Sequence, residues 1–409
     1  MKILLTTYFY LPHVGGLSTY VDVLRKELEA MGHHVDVFAH HPDMKKYYMP
    51  NNGRYLDKAK LKDPIYDKIY GYYDTNMKHV DPWIRWRDIE RYCFEAAAAA
   101  FDLTKYDLIH TQDIVSTRAL WRVKPKSTPL IATIHGCLAE EFLYTGEITG
   151  KDTLKWKYIA AEEFYGAVSS DMTIVPTQWL KNLLIDEFGV AEHKLKVIPY
   201  GIDIKSFKKR LQQHVDLPVK EGHKVFICPA RLVTIKGHKY LLDALARLKQ
   251  VRSDWICFLL GNGPCRNELL VQRQALGLEQ HVEFLGDRND VPSILGRGDI
   301  FVLPSIQDNL PFSVMEAQAA GKPIVVSNAG GIPEMVTHEE TGLISPVGES
   351  EQMFKNLLRL MEDRDLRKRI GEQARRWAIQ QWSTHTLMQR TMDVYSSVIN
   401  QHLVTKGGE

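Results

Sequence analysis

Long apolar runs, paired cysteines, a one-sided charge and short repeats are all missing from this chain of 409 residues. No stretch approaches the eighteen or so apolar residues that span a bilayer, so no membrane-crossing helix is expected. The five cysteines (Cys93, Cys137, Cys228, Cys257, Cys265) are odd in number, scattered and without paired short spacings. That argues against a disulfide framework or a zinc site and for a reducing compartment. A formal charge of +2 is close to balance, so general binding to nucleic acid is not expected. The G-x-G-x-x-G fingerprint is absent, which disfavours a nicotinamide enzyme. No D-x-D pair stands in a metal-site context, and no heptad array or internal repeat is found.

What is present is ordinary globular composition, 44% hydrophobic and 25% charged, in a chain long enough for two domains of roughly 200 residues. The opening MKILLTTYFYLPHVGG has a short apolar core that runs into aromatics and Pro12, so it reads as a first buried strand rather than an export signal. A cytoplasmic protein is expected, with peripheral membrane contact left open. Ile3 to Thr7 predicts a strand, Leu17, Val21, Leu24, Leu28 and Met31 recur at helical spacing, and Val35 to Ala39 predicts a second strand. Between the first strand and helix lie Gly15 and Gly16, which let backbone approach a ligand closely or simply make a tight turn. Pro42 to Trp86 loses its period and reads as mobile aromatic and charged loops, suited equally to acceptor recognition and to a plain surface excursion. Strands at Leu108–His110 and Leu130–Ile134 end at His110 and His135; an isolated histidine is more often structural than catalytic.

The turn Pro199-Tyr200-Gly201-Ile202-Asp203 interrupts the alternation, and the predicted domains are 1–203, 204–382 and a closing helical segment, 383–409. A strand at Val225–Pro229 feeds a loop holding Arg231 and Lys236. A guanidinium grips phosphate oxygens in a fork and an ammonium acts as a compact charge, although two such cations are usually solvated surface. Strands at Ile256–Leu260 and Val282–Leu285 end in Gly261-Asn262-Gly263 and in Gly286. The stretch from Leu303 to Glu334 organises the rest: a strand end, a turn with Asp308 and Asn309, a helix from near Phe312, a second strand and Gly330-Gly331. A strand feeding a helix through a polar turn leaves free N–H groups at a positive helix end, where anionic ligands bind. Asp308 and Glu316, both acceptor-only when ionised, suit vicinal hydroxyls beside a phosphate. Taken alone, the acids read more readily as a helix-end charge at Asp308 and a solvent-facing side chain at Glu316.

The stretch resembles the E-x7-E signature of retaining glycosyltransferases of the GT-B fold, family 4 (glycosyl transferases group 1). Asp308 stands where that family usually has its first glutamate, Glu316 matches the second, and Gly330-Gly331-Ile332-Pro333-Glu334 matches its GG-x-PE turn. The spacing from Arg231 to Lys236 resembles its R-x4-K pair, and Pro199 to Asp203 its P-N-G-x-D crossing, with tyrosine in place of asparagine. The resemblance covers most of the chain. It implies an α/β fold of two Rossmann-like doubly wound domains facing across a cleft, the C-terminal helix returning to the first.

It further implies a donor site of Gly15, Gly16, Arg231, Lys236, Gly261, Asn262, Gly263, Leu285, Asp308, Asn309, Leu310, Pro311, Phe312 and Glu316. Catalytic roles fall to His135, Arg231, Lys236, Asp308 and Glu316, with His110 a weaker acceptor contact. The implied co-substrate is a nucleotide-diphosphate sugar, expected to be a UDP-sugar, with no metal or further cofactor. The acceptor is a carbohydrate, a lipid-linked compound or a small molecule; oligomeric state is not indicated. A sugar-nucleotide epimerase or hydrolase, or a non-catalytic nucleotide-sugar binder, are the alternatives.

Overall fold

A computed structural model of the chain describes residues 1–13 and 15–407. It divides into two units, Met1–Pro199 joined by the chain from Leu387 on, and Tyr200–Thr386. In the first unit, strands β1 (Lys2–Tyr10), β2 (His34–His40), β3 (Lys46–Met49), β4 (Arg54–Asp57), β5 (Leu108–Thr111), β6 (Leu130–Thr133), β7 (Met172–Val175) and β8 (Leu195–Val197) form one sheet. Its order is β4-β3-β2-β1-β5-β6-β7-β8. All neighbours are parallel except the pairs involving β3 and β4. Helices α1 (Gly16–Ala30), α2 (Lys58–Asn76), α3 (Pro82–Ala100), α4 (Ile114–Val123), α5 (Leu138–Thr145), α6 (Leu154–Val168) and α7 (Gln178–Asp186) complete it. β5 and β6 are buried along their whole length, the signature of parallel strands covered on both faces. Tyr20, Val21, Leu24 and Leu28 form the buried stripe of α1, as the spacing requires.

The expectation of mobile loops from Pro42 to Trp86 is wrong. The segment holds an antiparallel hairpin, β3 and β4, added to the sheet edge, followed by α2 and the start of α3. α2 fully buries only Lys58 and Tyr73 and carries Pro64; Leu61, Ile65 and Ile69 form no more than a half-buried stripe against the core. α3 buries Arg85, Asp88 and Glu90 through partners: Arg85 with Asp74 at 2.6 Å, Asp88 with the Tyr73 hydroxyl at 2.6 Å and with Arg91 at 2.8 Å, and Glu90 with Lys58. Burial by ion pairing hides a helix from a hydrophobic pattern.

The second unit is regular throughout. Strands β9 (Lys224–Pro229), β10 (Trp255–Leu260), β11 (Val282–Gly286), β12 (Ile300–Leu303), β13 (Ile324–Ser327) and β14 (Leu343–Ser345) are all parallel, in the order β11-β10-β9-β12-β13-β14. Numbered from β9, that is the doubly wound order 3-2-1-4-5-6. Helices α8 (Ile204–Leu211), α9 (His238–Val251), α10 (Arg266–Ala275), α11 (Val291–Arg297), α12 (Phe312–Ala319), α13 (Ser350–Glu362) and α14 (Arg364–Gln381) surround it. Leu241, Leu242, Leu245 and Leu248 of α9 meet Trp255, Cys257 and Leu259 of β10 in the core. The last helix, α15 (Thr384–Gly407), belongs to the first unit from Leu387 on. Among the described residues, no helix is long and apolar enough to cross a membrane.

Candidate active site

The strand order reverses across the second sheet between β9 and β12, and ligands of open α/β sheets bind outside the carboxyl ends of strands at such a point. Five loops at that edge are laced together by main-chain hydrogen bonds in the order of their strands. Gly261 N–H donates to Gly286 O at 2.8 Å, Leu232 N–H to Asn262 O at 2.9 Å, Ile306 N–H to Ile235 O at 2.7 Å and Gly331 N–H to Asp308 O at 3.1 Å. Two glycines make the approach possible. Gly237 and Gly330 have φ of 66° and 52°, and a Cβ on either would overlap a carbonyl oxygen of the β12 loop, that of Pro304 or of Asp308.

This lacing brings Lys236, after β9, against Asp308, after β12. The Lys236 ammonium pairs with Asp308 Oδ2, which also accepts from the Ser305 hydroxyl at 3.0 Å, while Oδ1 accepts from Asn309 N–H at 3.1 Å. Arg231 lies exposed in the same β9 loop and forms no ion pair among the described residues. Asn309 and Leu310 are buried, and Pro311 and Phe312 are half-buried where α12 begins. Glu316 follows one turn on, half-buried, its carboxylate without a hydrogen bond among the described residues. Burial pushes its carboxyl up to about 7, against a smaller opposing pull from Arg210. Gly261, Asn262, Gly263 and Leu285 line the β10 and β11 end of the same edge.

One contributor escaped the sequence reading. Tyr200 is buried and stacks on Phe312 with ring centroids 5.0 Å apart and planes inclined by 7°. It thereby holds the first residue of α12 from the start of the unit. Its place in the interdomain turn was visible; its partner 112 positions away was not.

In the first unit Gly15 caps α1, and its carbonyl accepts Thr19 N–H at 3.1 Å; Gly16 is the first helical residue. His135 follows β6, half-buried, with its Nε2–H donating to Gln112 Oε1 at 3.2 Å and Tyr20 packed edge-on at 4.9 Å between centroids. Burial pushes its pKa down to about 3, so the ring is neutral at physiological pH. His110 differs sharply. It is fully buried in β5, with Nδ1 bonded to the Tyr395 hydroxyl at 2.7 Å and Nε2 to Thr133 Oγ1 at 2.8 Å. Both ring nitrogens are spent inside the core, which leaves nothing to present to an acceptor. Asp113 stands just beyond β5. It is buried and accepts from Thr7 Oγ1 at 2.8 Å, Tyr8 N–H at 2.8 Å and Ser116 N–H at 2.7 Å, joining the carboxyl ends of β1 and β5.

The parallel-sheet edge thus brings together a helix start, two cations and two carboxylates, groups whose chemistry suits a phosphorylated, hydroxyl-rich ligand. The comparisons with known proteins narrow that class. Residues 209–377 match the family model "Glycosyl transferases group 1" and residues 14–206 match "Glycosyltransferase Family 4". The chain belongs to the glycosyltransferases those two models describe, and its fold is GT-B. It is 24% identical over 98% of both chains to the MMP alpha-(1->4)-mannosyltransferase of Mycolicibacterium hassiacum. Over 64% of its length, and 68% of the relative's, it is 28% identical to the UDP-Gal:alpha-D-GlcNAc-diphosphoundecaprenol alpha-1,3-galactosyltransferase of Escherichia coli. Among solved structures it resembles sucrose-phosphate synthase from Thermosynechococcus elongatus, with TM-score 0.75, 18% identity and coverage of 98% of this chain and 100% of that one.

Proposed function

We propose that the protein is a retaining glycosyltransferase that moves a sugar from a UDP-sugar to an acceptor hydroxyl by front-face displacement, without a metal ion. The carrying observation is the pairing of the Arg231 and Lys236 loop with the start of α12 across the switch point of the second sheet. A leaving diphosphate gathers negative charge in the transition state, and fixed cations with helix-end N–H groups stabilise it without reorganising. Glu316, with its carboxyl free of hydrogen bonds among the described residues, accepts from the ribose hydroxyls. Gly261, Asn262, Gly263 and Leu285 supply the backbone walls for the base. The family resemblance adds Gly15, Gly16 and His135 as contacts of the transferred sugar, with a catalytic role for the neutral imidazole. The acceptor is a carbohydrate, a lipid-linked compound or a small molecule, and the UDP-Gal donor of the galactosyltransferase relative supports a UDP-sugar.

The test is incubation with UDP-sugars and GDP-mannose, with and without a panel of hydroxylated acceptors, followed by NMR of the product anomer. Acceptor-dependent release of UDP with retained anomeric configuration is expected. Donor conversion without acceptor identifies an epimerase or hydrolase instead, and saturable binding without turnover a sensor. His135→Ala is expected to lower turnover at least about tenfold while changing UDP affinity by less than about threefold.

A further inference from the structure

We propose that Asp308 is a positioning residue for Lys236 and not a contact for the transferred sugar. The proposal rests on the donor reading above and refines one residue of it. A sugar-gripping carboxylate must offer free lone pairs to hydroxyls. Three of the roughly four acceptor sites of Asp308 are instead turned into the protein's own loops: Oδ2 takes the Lys236 ammonium and the Ser305 hydroxyl, and Oδ1 takes Asn309 N–H, which leaves too little for a paired grip on hydroxyls. The two charged side chains are withdrawn together, 15% exposed for Lys236 and 11% for Asp308. Aspartate has a shorter arm than glutamate, and here that arm ends at the lysine.

The consequence is a charge ledger as well as a geometry. An ammonium has three donors, so one held by Asp308 leaves two for phosphate oxygens while fixing a flexible four-carbon stem. The same carboxylate partly cancels the lysine's charge, so an arriving diphosphate meets Arg231 at full strength and Lys236 at reduced strength. Affinity for the nucleotide is thereby sacrificed for a lysine already in place. A role confined to sugar contact predicts no gain in UDP affinity when Asp308 is neutralised, because UDP alone has no sugar to lose.

The experiment is calorimetric titration of UDP and GDP into the unmodified protein, Asp308→Asn, Lys236→Met and the double variant, at low and moderate salt. Asp308→Asn is expected to bind the diphosphate about tenfold more tightly, with steeper salt dependence. In the Lys236→Met background the same change is expected to alter affinity less than about threefold, because the charge it uncovers is gone. Unchanged or weaker diphosphate binding by Asp308→Asn overturns the proposal, and so does equal tightening in both backgrounds. If the unmodified protein binds neither UDP nor GDP, the donor reading itself fails; binding that Asp308→Asn leaves alone removes only the role of Asp308. A measurement independent of variant folding is acetic anhydride labelling of the unmodified protein without nucleotide. Lys236 is expected to react at least about tenfold more slowly than exposed lysines, and labelling at their rate overturns the proposal.

Discussion

Glu316 is the residue whose chemistry the fold changes most. A solvent-facing glutamate is ionised at neutral pH, but half-burial on α12 pushes this carboxyl up to about 7. Ribose hydroxyls donate to the ionised form and stabilise it, so its pKa falls when nucleotide binds. Affinity for UDP is therefore expected to rise with pH through the range around 7, with a proton released on binding. Titrations near pH 6.5 in two buffers of different ionisation enthalpy check this, and Glu316→Gln is expected to abolish the proton release. The family resemblance had marked Glu316, Asp308, Arg231 and Lys236 as a set, yet it gave no means of seeing that Asp308 and Lys236 face each other. The two histidines make the same point. His110 and His135 both close apolar strands, but only coordinates separate a ring with both nitrogens in core hydrogen bonds from one at the end of β6.

Among the elements, α5 and the loop before it are fixed by Glu163 of α6. Its Oε1 accepts Ala139 N–H at 3.1 Å at the start of α5, three residues beyond Gly136, while Oε2 is buried without a partner. Burial pushes the carboxyl up to about 7, with Glu162 adding to the rise and the Cys137 thiol and helix N–H groups opposing it. The folded state thus holds a proton there that the unfolded chain gives up near pH 4 to 5. That contribution to stability is complete below the unfolded value and is lost as pH rises through about 7, a change on the order of 3 kcal/mol. The melting temperature of Glu163→Gln relative to the unmodified protein is expected to improve from pH 5 to pH 8. A difference independent of pH counts against it. Tyr200 does similar work for α12. Tyr200→Ala, which removes a buried ring from the Phe312 stack, is expected to cost about 3 kcal/mol, and Tyr200→Phe about 1 kcal/mol, by denaturant unfolding. The α2 and α3 region shows how such elements escape a sequence reading: Lys58, Arg85, Asp88 and Glu90 are buried in ion pairs among Leu61, Ile65, Ile69, Ile84 and Ile89, and charged residues on the buried face blur the apolar period.

For the molecule as a whole, two units with separate cores predict that nucleotide stabilises them unequally. Calorimetry is expected to resolve two transitions, and UDP to raise the one belonging to Tyr200–Thr386, by about 2.7 kcal/mol at a hundred times its dissociation constant. An equal shift of both transitions, or none, contradicts the donor assignment. The amino-acid sequence alone determined the alternation of buried strands and helices, the glycine turns at their ends and the acidic and basic residues carried there. These are local matters, set by period and by which residues tolerate a turn. Tertiary structure alone decided the strand order that puts β9 beside β12, the pairing of Lys236 with Asp308 and the raised carboxyls of Glu316 and Glu163. Each of these depends on groups far apart in the chain meeting where water is excluded, and no local pattern encodes that meeting.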